Sequence, residues 1–147
     1  MSKTINQIQD EIIEEFSILE GDMEMATFYI MELGQKLPPL DEQYQLEENL
    51  VKGCQSKVWL ITELKDGKVI FQGESNSAIT KGLVSLLIRV FDHQTPNDIL
   101  DADLYFIDKI GMNRFIGTQR SNGFAAMIKH IKLTALVYQD QLTSAKP

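Results

Sequence analysis

Residues 58–72 read VWLITELKDGKVIFQ, and this stretch decides the fold class. Its two arms, 58–63 and 68–72, are rich in β-branched and aromatic residues, which are typical of strands. Asp66-Gly67 between the arms is a strong signal for a tight turn, so the stretch predicts a β-hairpin. A lone hairpin is only marginally stable in water, so we expect a small antiparallel sheet of about three strands.

Helical patterns precede the hairpin. Apolar residues recur at spacings of three and four from Thr4 to Leu19, which predicts an amphipathic helix. Asp22 is suited to cap a second helix and Gly34 to end it. Pro38-Pro39 then prevents further helix. The segment 41–56 has little periodic pattern and predicts a long connection of the kind that often carries function.

Helical patterns also follow the hairpin. Residues 75–77 offer N-cap oxygens to a helix running to about His93, and Thr95-Pro96 predicts the start of a short helix. Ser121-Asn122 is suited to cap a last helix that reaches about Leu142. Helices from both ends of the chain packed against a small antiparallel sheet predict an α+β fold.

Length and composition fit one soluble globular domain, 1–147. The chain has 147 residues, of which 44% are hydrophobic, and no run approaches the length of a membrane span. The amino terminus lacks the apolar core of a signal peptide, and a single cysteine suits a reducing compartment. We therefore expect a cytoplasmic protein that does not contact membranes.

The charge distribution is uneven. The net charge is -7, which argues against a nucleic-acid partner, because phosphate binding needs clustered cations. Residues 1–50 hold 12 of the 21 acids but only 2 of the 14 lysines and arginines. This acidic half is interpreted either as a solvated helical face or as a docking surface.

Few residues are available for chemistry. One cysteine and two histidines, His93 and His130, show no metal-ligand spacing, and no glycine-rich loop precedes a helix. We therefore expect neither a metal nor a nucleotide, and no other cofactor. A cysteine hydrolase that uses one histidine as its base would need a partner that the sequence does not identify.

Cys54 is the group that remains. A free cysteine is often an inert core residue, but here Gly53 and the polar pair Gln55-Ser56 indicate a turn. Lys52 and Lys57 bracket the sulfur, and nearby cations favour the nucleophilic thiolate. Attack on a sulfur–sulfur bond needs no catalytic triad, and the lack of a second cysteine suits a carrier of sulfur.

Five segments in order give the chain its resemblance to a known family. It resembles the SufE family, the sulfur acceptors of iron-sulfur cluster assembly. The segments are Glu32-Leu33-Gly34 with Leu37-Pro38-Pro39-Leu40, Val51-Lys52-Gly53-Cys54-Gln55-Ser56-Lys57-Val58-Trp59-Leu60, Ile79-Thr80-Lys81-Gly82-Leu83, Thr95-Pro96-Asn97-Asp98-Ile99-Leu100 and Gln119-Arg120-Ser121-Asn122-Gly123-Phe124-Ala125-Ala126-Met127.

The resemblance implies a function without enzyme activity of its own. Cys54 would take persulfide sulfur from a pyridoxal-phosphate-dependent cysteine desulfurase of the SufS or CsdA type, stimulate that enzyme, and pass the sulfur to an iron-sulfur scaffold. The implied α+β fold is shared with IscU-type scaffolds. In this family the cysteine loop is partly sheltered at rest and swings outward on docking.

The resemblance also implies residues that shape the loop or meet the partner. They are Gly53, Gln55, Ser56, Lys57, Glu74 and Arg120. Two positions depart from the family pattern, since Asn76 stands where an acid is usual and Met23 where Trp is common. The alternatives left open are an activator that works without the cysteine, and sulfur relay to a sulfur-modification enzyme.

Overall fold

The computed structural model describes residues 2–144 and has an α+β architecture, as the sequence predicts. Seven α-helices flank one hairpin in this part of the chain, and two 3-10 turns, Glu42–Tyr44 and Glu47–Asn49, lie in the long connection. None of these helices is both long and apolar enough to cross a membrane. The elements are α1 Ile5–Ser17, α2 Met23–Gln35, β1 Val58–Lys65, β2 Lys68–Ser75, α3 Ala78–Phe91, α4 Pro96–Asp101, α5 Phe106–Lys109, α6 Met112–Ile116 and α7 Thr118–Ser144.

The predicted hairpin is confirmed. β1 and β2 pair in antiparallel register, with Lys65 opposite Lys68. Asp66 and Gly67 both have positive φ, 53° and 76°, as a two-residue turn that matches the twist of its strands requires. One face of the hairpin packs against α3, so Val58, Leu60, Val69 and Phe71 join the buried apolar cluster.

The expected third strand is wrong for the residues that the structure describes. Each outer edge of the hairpin carries only a single bridge, Leu50 to Trp59 on one side and Val69 to Gln94 on the other. The chain turns away immediately in both places, because the loop before Cys54 follows Leu50 and Pro96 begins α4. Packing on α3 therefore stabilises the hairpin in place of a third strand.

The predicted N-terminal ends of α1, α2, α3 and α4 are confirmed, because each depends on a local side-chain cap. Thr4, Asp22, Ser77 and Thr95 each accept a hydrogen bond from a backbone N–H in the first turn of their helix. Two short helices in the second half of the chain, α5 and α6, have no sequence signal that we identified.

The predicted start of the last helix is wrong. α7 begins at Thr118, and Ser121 and Asn122 lie inside it. The backbone N–H of Ser121 donates to the carbonyl of Gly117 at 3.0 Å. Gly117 has a φ of 85°, so the chain can leave α6 and enter α7 within one residue.

Gly34 does not end α2, because the helix continues to Gln35 and Gly34 is buried inside its last turn. Its role is close packing against α3. A Cβ on Gly34 would lie 2.7 Å from the backbone N of Gly82, and a Cβ on Gly82 would lie 2.0 Å from the carbonyl oxygen of Ile30. These two glycines let the backbones of α2 and α3 approach more closely than side chains would permit.

Candidate functional site

A short loop, residues 52–57, carries Cys54 between the long connection and β1. At its base the N–H of Val51 donates to the carbonyl of Val58 at 2.8 Å. Gly53 has a φ of 94°, and a Cβ there would lie 3.0 Å from the Cβ of Ala126 in α7. Gly53 therefore supplies both the turn and the close approach that set Cys54 beside α7.

Asn76 fastens the far end of this loop. Its Oδ1 accepts the N–H of Lys57 at 3.0 Å, and its own N–H donates to the Lys57 carbonyl at 3.3 Å. The amide oxygen accepts a hydrogen bond as a carboxylate would, although it carries no charge. Asn76 therefore supplies a neutral acceptor at the position where the resemblance implies an acid.

The Cys54 thiol is half-buried against α7. Its Sγ donates to the carbonyl oxygen of Gly123 at 3.4 Å. A Cβ on Gly123 would lie 3.6 Å from Sγ, so the sulfur rests on the bare backbone of the helix. Sequence reasoning missed Gly123 as a site residue, although a glycine inside a helix costs about 1 kcal/mol relative to alanine and so indicates a packing role.

Burial raises the pKa of the Cys54 thiol above its usual range. Lys52 and Lys57 do not offset this effect, and both side chains are exposed. The expectation that these lysines favour the thiolate is therefore wrong for this conformation. Burial of the sulfur therefore favours the neutral thiol in this conformation.

We expect alkylation of Cys54 to report this shift. In the folded protein the pH at which the iodoacetamide rate reaches half its maximum should lie above that of the same chain unfolded in urea, because burial favours the uncharged thiol. The rate is read from intact mass against time over a series of pH values. Equal midpoints in the two states would contradict the burial of the sulfur.

A cleft of about 380 Å³ opens beside the sulfur. Residues of the cysteine loop, of α3 and of the α6–α7 corner line it, and apolar side chains stand beside polar ones. The lining is Cys54, Gln55, Ser56, Thr80, Leu83, Ile116, Gly117, Thr118, Gln119, Arg120, Gly123 and Met127.

Arg120 reaches this cleft from the first turn of α7, which brings it together with Cys54, Gln55 and Ser56. Its Nη1 donates to the carbonyl of Ile116 at 3.1 Å, which closes the C-terminal end of α6. The guanidinium has further N–H donors, which an anionic group in the cleft could use.

Three other sequence-predicted residues lie away from the cleft lining. Gly53 and Lys57 shape the loop from either end. Glu74 forms an ion pair with Lys81 at 3.0 Å and accepts the N–H of Leu40 at 3.4 Å. Glu74 therefore holds the start of the long connection against α3.

Neither histidine supplies a base to Cys54. His93 pairs with Asp92 at 2.9 Å, and burial lowers the pKa of His130. Neither side chain lines the cleft beside the sulfur. Within residues 2–144, no three His, Cys, Asp or Glu side chains lie close enough together to hold a metal ion.

The two hydrogen bonds between Asn76 and Lys57, which we call the Asn76 clamp, give a second prediction. Asn76→Ala removes the acceptor of the Lys57 N–H, so the loop should open more often and iodoacetamide should react with Cys54 roughly fivefold faster. Asn76→Asp keeps an acceptor at this place and should react at close to the wild-type rate. Equal rates for all three proteins would show that the clamp does not restrain the loop.

Comparison with known proteins adds to this geometry. The model of the family described as "SufE: Fe-S metabolism associated domain" matches residues 10–135. An uncharacterized SufE-like protein of Rhizobium meliloti is 37% identical over 131 residues, which cover 86% of this chain and 93% of that protein.

A similar fold has been solved. The solution structure of a hypothetical protein from Thermus thermophilus superposes with a TM-score of 0.73 and covers 90% of this chain and 96% of its own. At 20% identity it supports the fold alone. The family match spans both strands, the cysteine loop and most of α7. The chain therefore belongs to the SufE family, whose domain is associated with iron-sulfur metabolism.

Proposed function

We propose that Cys54 accepts persulfide sulfur from a pyridoxal-phosphate-dependent cysteine desulfurase, stimulates that enzyme, and relays the sulfur for iron-sulfur cluster assembly. The observation that carries the proposal is the placement of Cys54. The one cysteine of a SufE-family chain is half-buried on a short loop, beside a cleft that neither histidine lines. We place the reaction in the cytoplasm, since a lone cysteine suits a reducing compartment.

The transfer needs only one thiol. The Cys54 thiolate attacks the terminal sulfur of a persulfide on the desulfurase, a new sulfur–sulfur bond forms on Cys54, and the old one breaks. The desulfurase cysteine leaves as a thiolate and takes up a proton. There is no net oxidation, and a repeat of the same step passes the sulfur to the next acceptor. No second cysteine is present to displace the sulfur and close an intramolecular disulfide.

Loop position and nucleophilicity are coupled. At rest, burial favours the neutral thiol and its hydrogen bond to Gly123, so the sulfur is a poor nucleophile. When the loop moves outward, water solvates the sulfur and its pKa falls toward the usual value. Docking that releases the loop would therefore deliver the reactive thiolate only where a persulfide is waiting.

The surrounding residues take supporting roles in this proposal. Gln55, Ser56 and Arg120 line the cleft in which the loaded sulfur would rest, and Arg120 can stabilise its negative charge. Gly53 and Lys57 set the ends of the loop, and Glu74 anchors the connection that leads to it. Shelter in the cleft would slow attack on the persulfide by small thiols.

The experiment loads the chain with sulfur and then removes the donor. Protein incubated with a cysteine desulfurase and cysteine is repurified and mixed under argon with an apo scaffold, ferrous iron and a reduced ferredoxin, which supplies the electrons that convert sulfane sulfur to sulfide. Cluster formation is followed by visible absorbance. We expect clusters in proportion to the sulfur loaded. Loaded protein that yields no more clusters than unloaded protein would exclude a scaffold acceptor. A sulfur-modification enzyme tested in parallel identifies the alternative route.

A further inference from the structure

The C-terminal half of α7 presents an uncovered apolar surface. Ile131 and Ala135 are buried, whereas Leu133, Leu136 and Val137 on other sides of the helix are 53%, 54% and 57% exposed. No element among residues 2–144 covers these three side chains. An apolar surface on a regular helix is a common feature of helix–helix interfaces.

Leu133 and Leu136 belong to a longer stripe along α7. Its six positions alternate at spacings of three and four, which places them along one face of the helix, with Leu133 and Leu136 at the centre. The four central positions are exposed, as is the last, and the first is half-buried. We name this the α7 seam; it consists of Ala126, Lys129, Leu133, Leu136, Asp140 and Thr143.

The α7 seam is complementary to itself when its direction is reversed. In the antiparallel register centred between Thr134 and Ala135, Leu133 faces Leu136 of a second copy. In the same register Lys129 faces Asp140, so each pair of copies gains two opposite-charge contacts. A parallel arrangement would instead oppose lysine to lysine and aspartate to aspartate. The charges therefore select the antiparallel register.

These two charges are available for such a contact. Neither Lys129 nor Asp140 forms an ion pair within the described residues, and both side chains are exposed. The buried side of α7 packs against the core. The hydroxyl of Tyr138 in α7 also hydrogen-bonds with the hydroxyl of Thr62 in β1 at 2.8 Å, which sets how the helix faces the hairpin. The α7 seam therefore faces away from the core.

We propose that a second copy of this chain docks along the α7 seam as an antiparallel, two-fold symmetric helix pair. Closed two-fold pairs are the commonest form of self-association, and each copy contributes the same surface. A single helix pair lies at the low end of the area that stable dimers bury. The dimer is therefore weak and dependent on concentration.

Exchange of the charges at Lys129 and Asp140 in the 147-residue chain tests both the contact and its direction. We expect wild type to dimerise reversibly in sedimentation equilibrium. Lys129→Glu and Asp140→Lys should each weaken the dimer about tenfold, because each opposes like charges at two places. An equimolar mixture of the two variants should regain association, since each complements the other. The double variant that carries both Lys129→Glu and Asp140→Lys should associate with itself, because its exchanged charges are again opposite.

Two outcomes would overturn the inference. Wild type that remains monomeric up to about 1 mM has no such interface. Single variants that associate as wild type does would place any dimer elsewhere. Leu136→Glu provides a further check, because a buried pair of glutamates should abolish the dimer. All positions are exposed, so circular dichroism and melting temperature should match wild type.

Discussion

A Cys54→Ser variant is expected to lose all stimulation of a cysteine desulfurase while keeping its fold. A serine hydroxyl cannot take up sulfane sulfur, so the desulfurase persulfide would wait for slow release to small thiols. Alanine production from cysteine measures this turnover without depending on the fate of the sulfur. The substitution removes one half-buried sulfur, so circular dichroism should be unchanged.

Lys52→Ala is the matched control for this variant. Lys52 lies in the same loop, but it is exposed and does not line the cleft. It should stimulate the desulfurase as well as wild type does. Full stimulation by Cys54→Ser would contradict the carrier account and favour an activator that works by docking alone.

Gly82→Ala is expected to cause the largest loss of stability among the glycine-to-alanine substitutions of this chain, because its added Cβ makes the shortest contact. The added Cβ would lie 2.0 Å from the carbonyl oxygen and 2.5 Å from the Cγ2 of Ile30. The clash is with the backbone of α2 at the buried residue Ile30, so α2 and α3 must separate. We expect a loss of about 3 kcal/mol, or a melting temperature lower by roughly 10 °C.

Gly123→Ala serves as the comparison, since this glycine also lies inside a helix. Its Cβ would make ordinary contacts of 3.6 Å with the Cys54 sulfur, and alanine has the higher helix propensity. Thermal denaturation followed by circular dichroism should show it to be as stable as wild type or slightly more so. If Gly82→Ala and Gly123→Ala have the same melting temperature, the close approach of α2 and α3 does not limit stability.

The sequence predicts those parts of the fold that depend on neighbouring residues. The hairpin follows from Asp66-Gly67, whose positive φ angles are encoded at the turn itself. The caps at Thr4 and Ser77 likewise form within one helical turn. Features that depend on distant contacts were less predictable. Gly34 resembles a helix end in sequence, and only its approach to Gly82 shows why it is a glycine.

The same distinction applies to the candidate site. The loop around Cys54 can be recognised from its turn residues and from the segments shared with the SufE family. The position of the sulfur against Gly123, 69 residues along the chain, cannot be recognised from the sequence. The burial of the sulfur cannot be recognised either. Burial raises the pKa of Cys54, whereas the sequence suggested that nearby lysines would lower it.

The intact mass of the protein tests most directly whether Cys54 receives sulfur. The chain is incubated with a catalytic amount of cysteine desulfurase and with cysteine, without reductant, and its mass is recorded. We predict a gain of one sulfur atom, located on the peptide that contains Cys54 and removed by dithiothreitol. No mass gain with an active desulfurase, or the same gain in Cys54→Ser, would contradict the account.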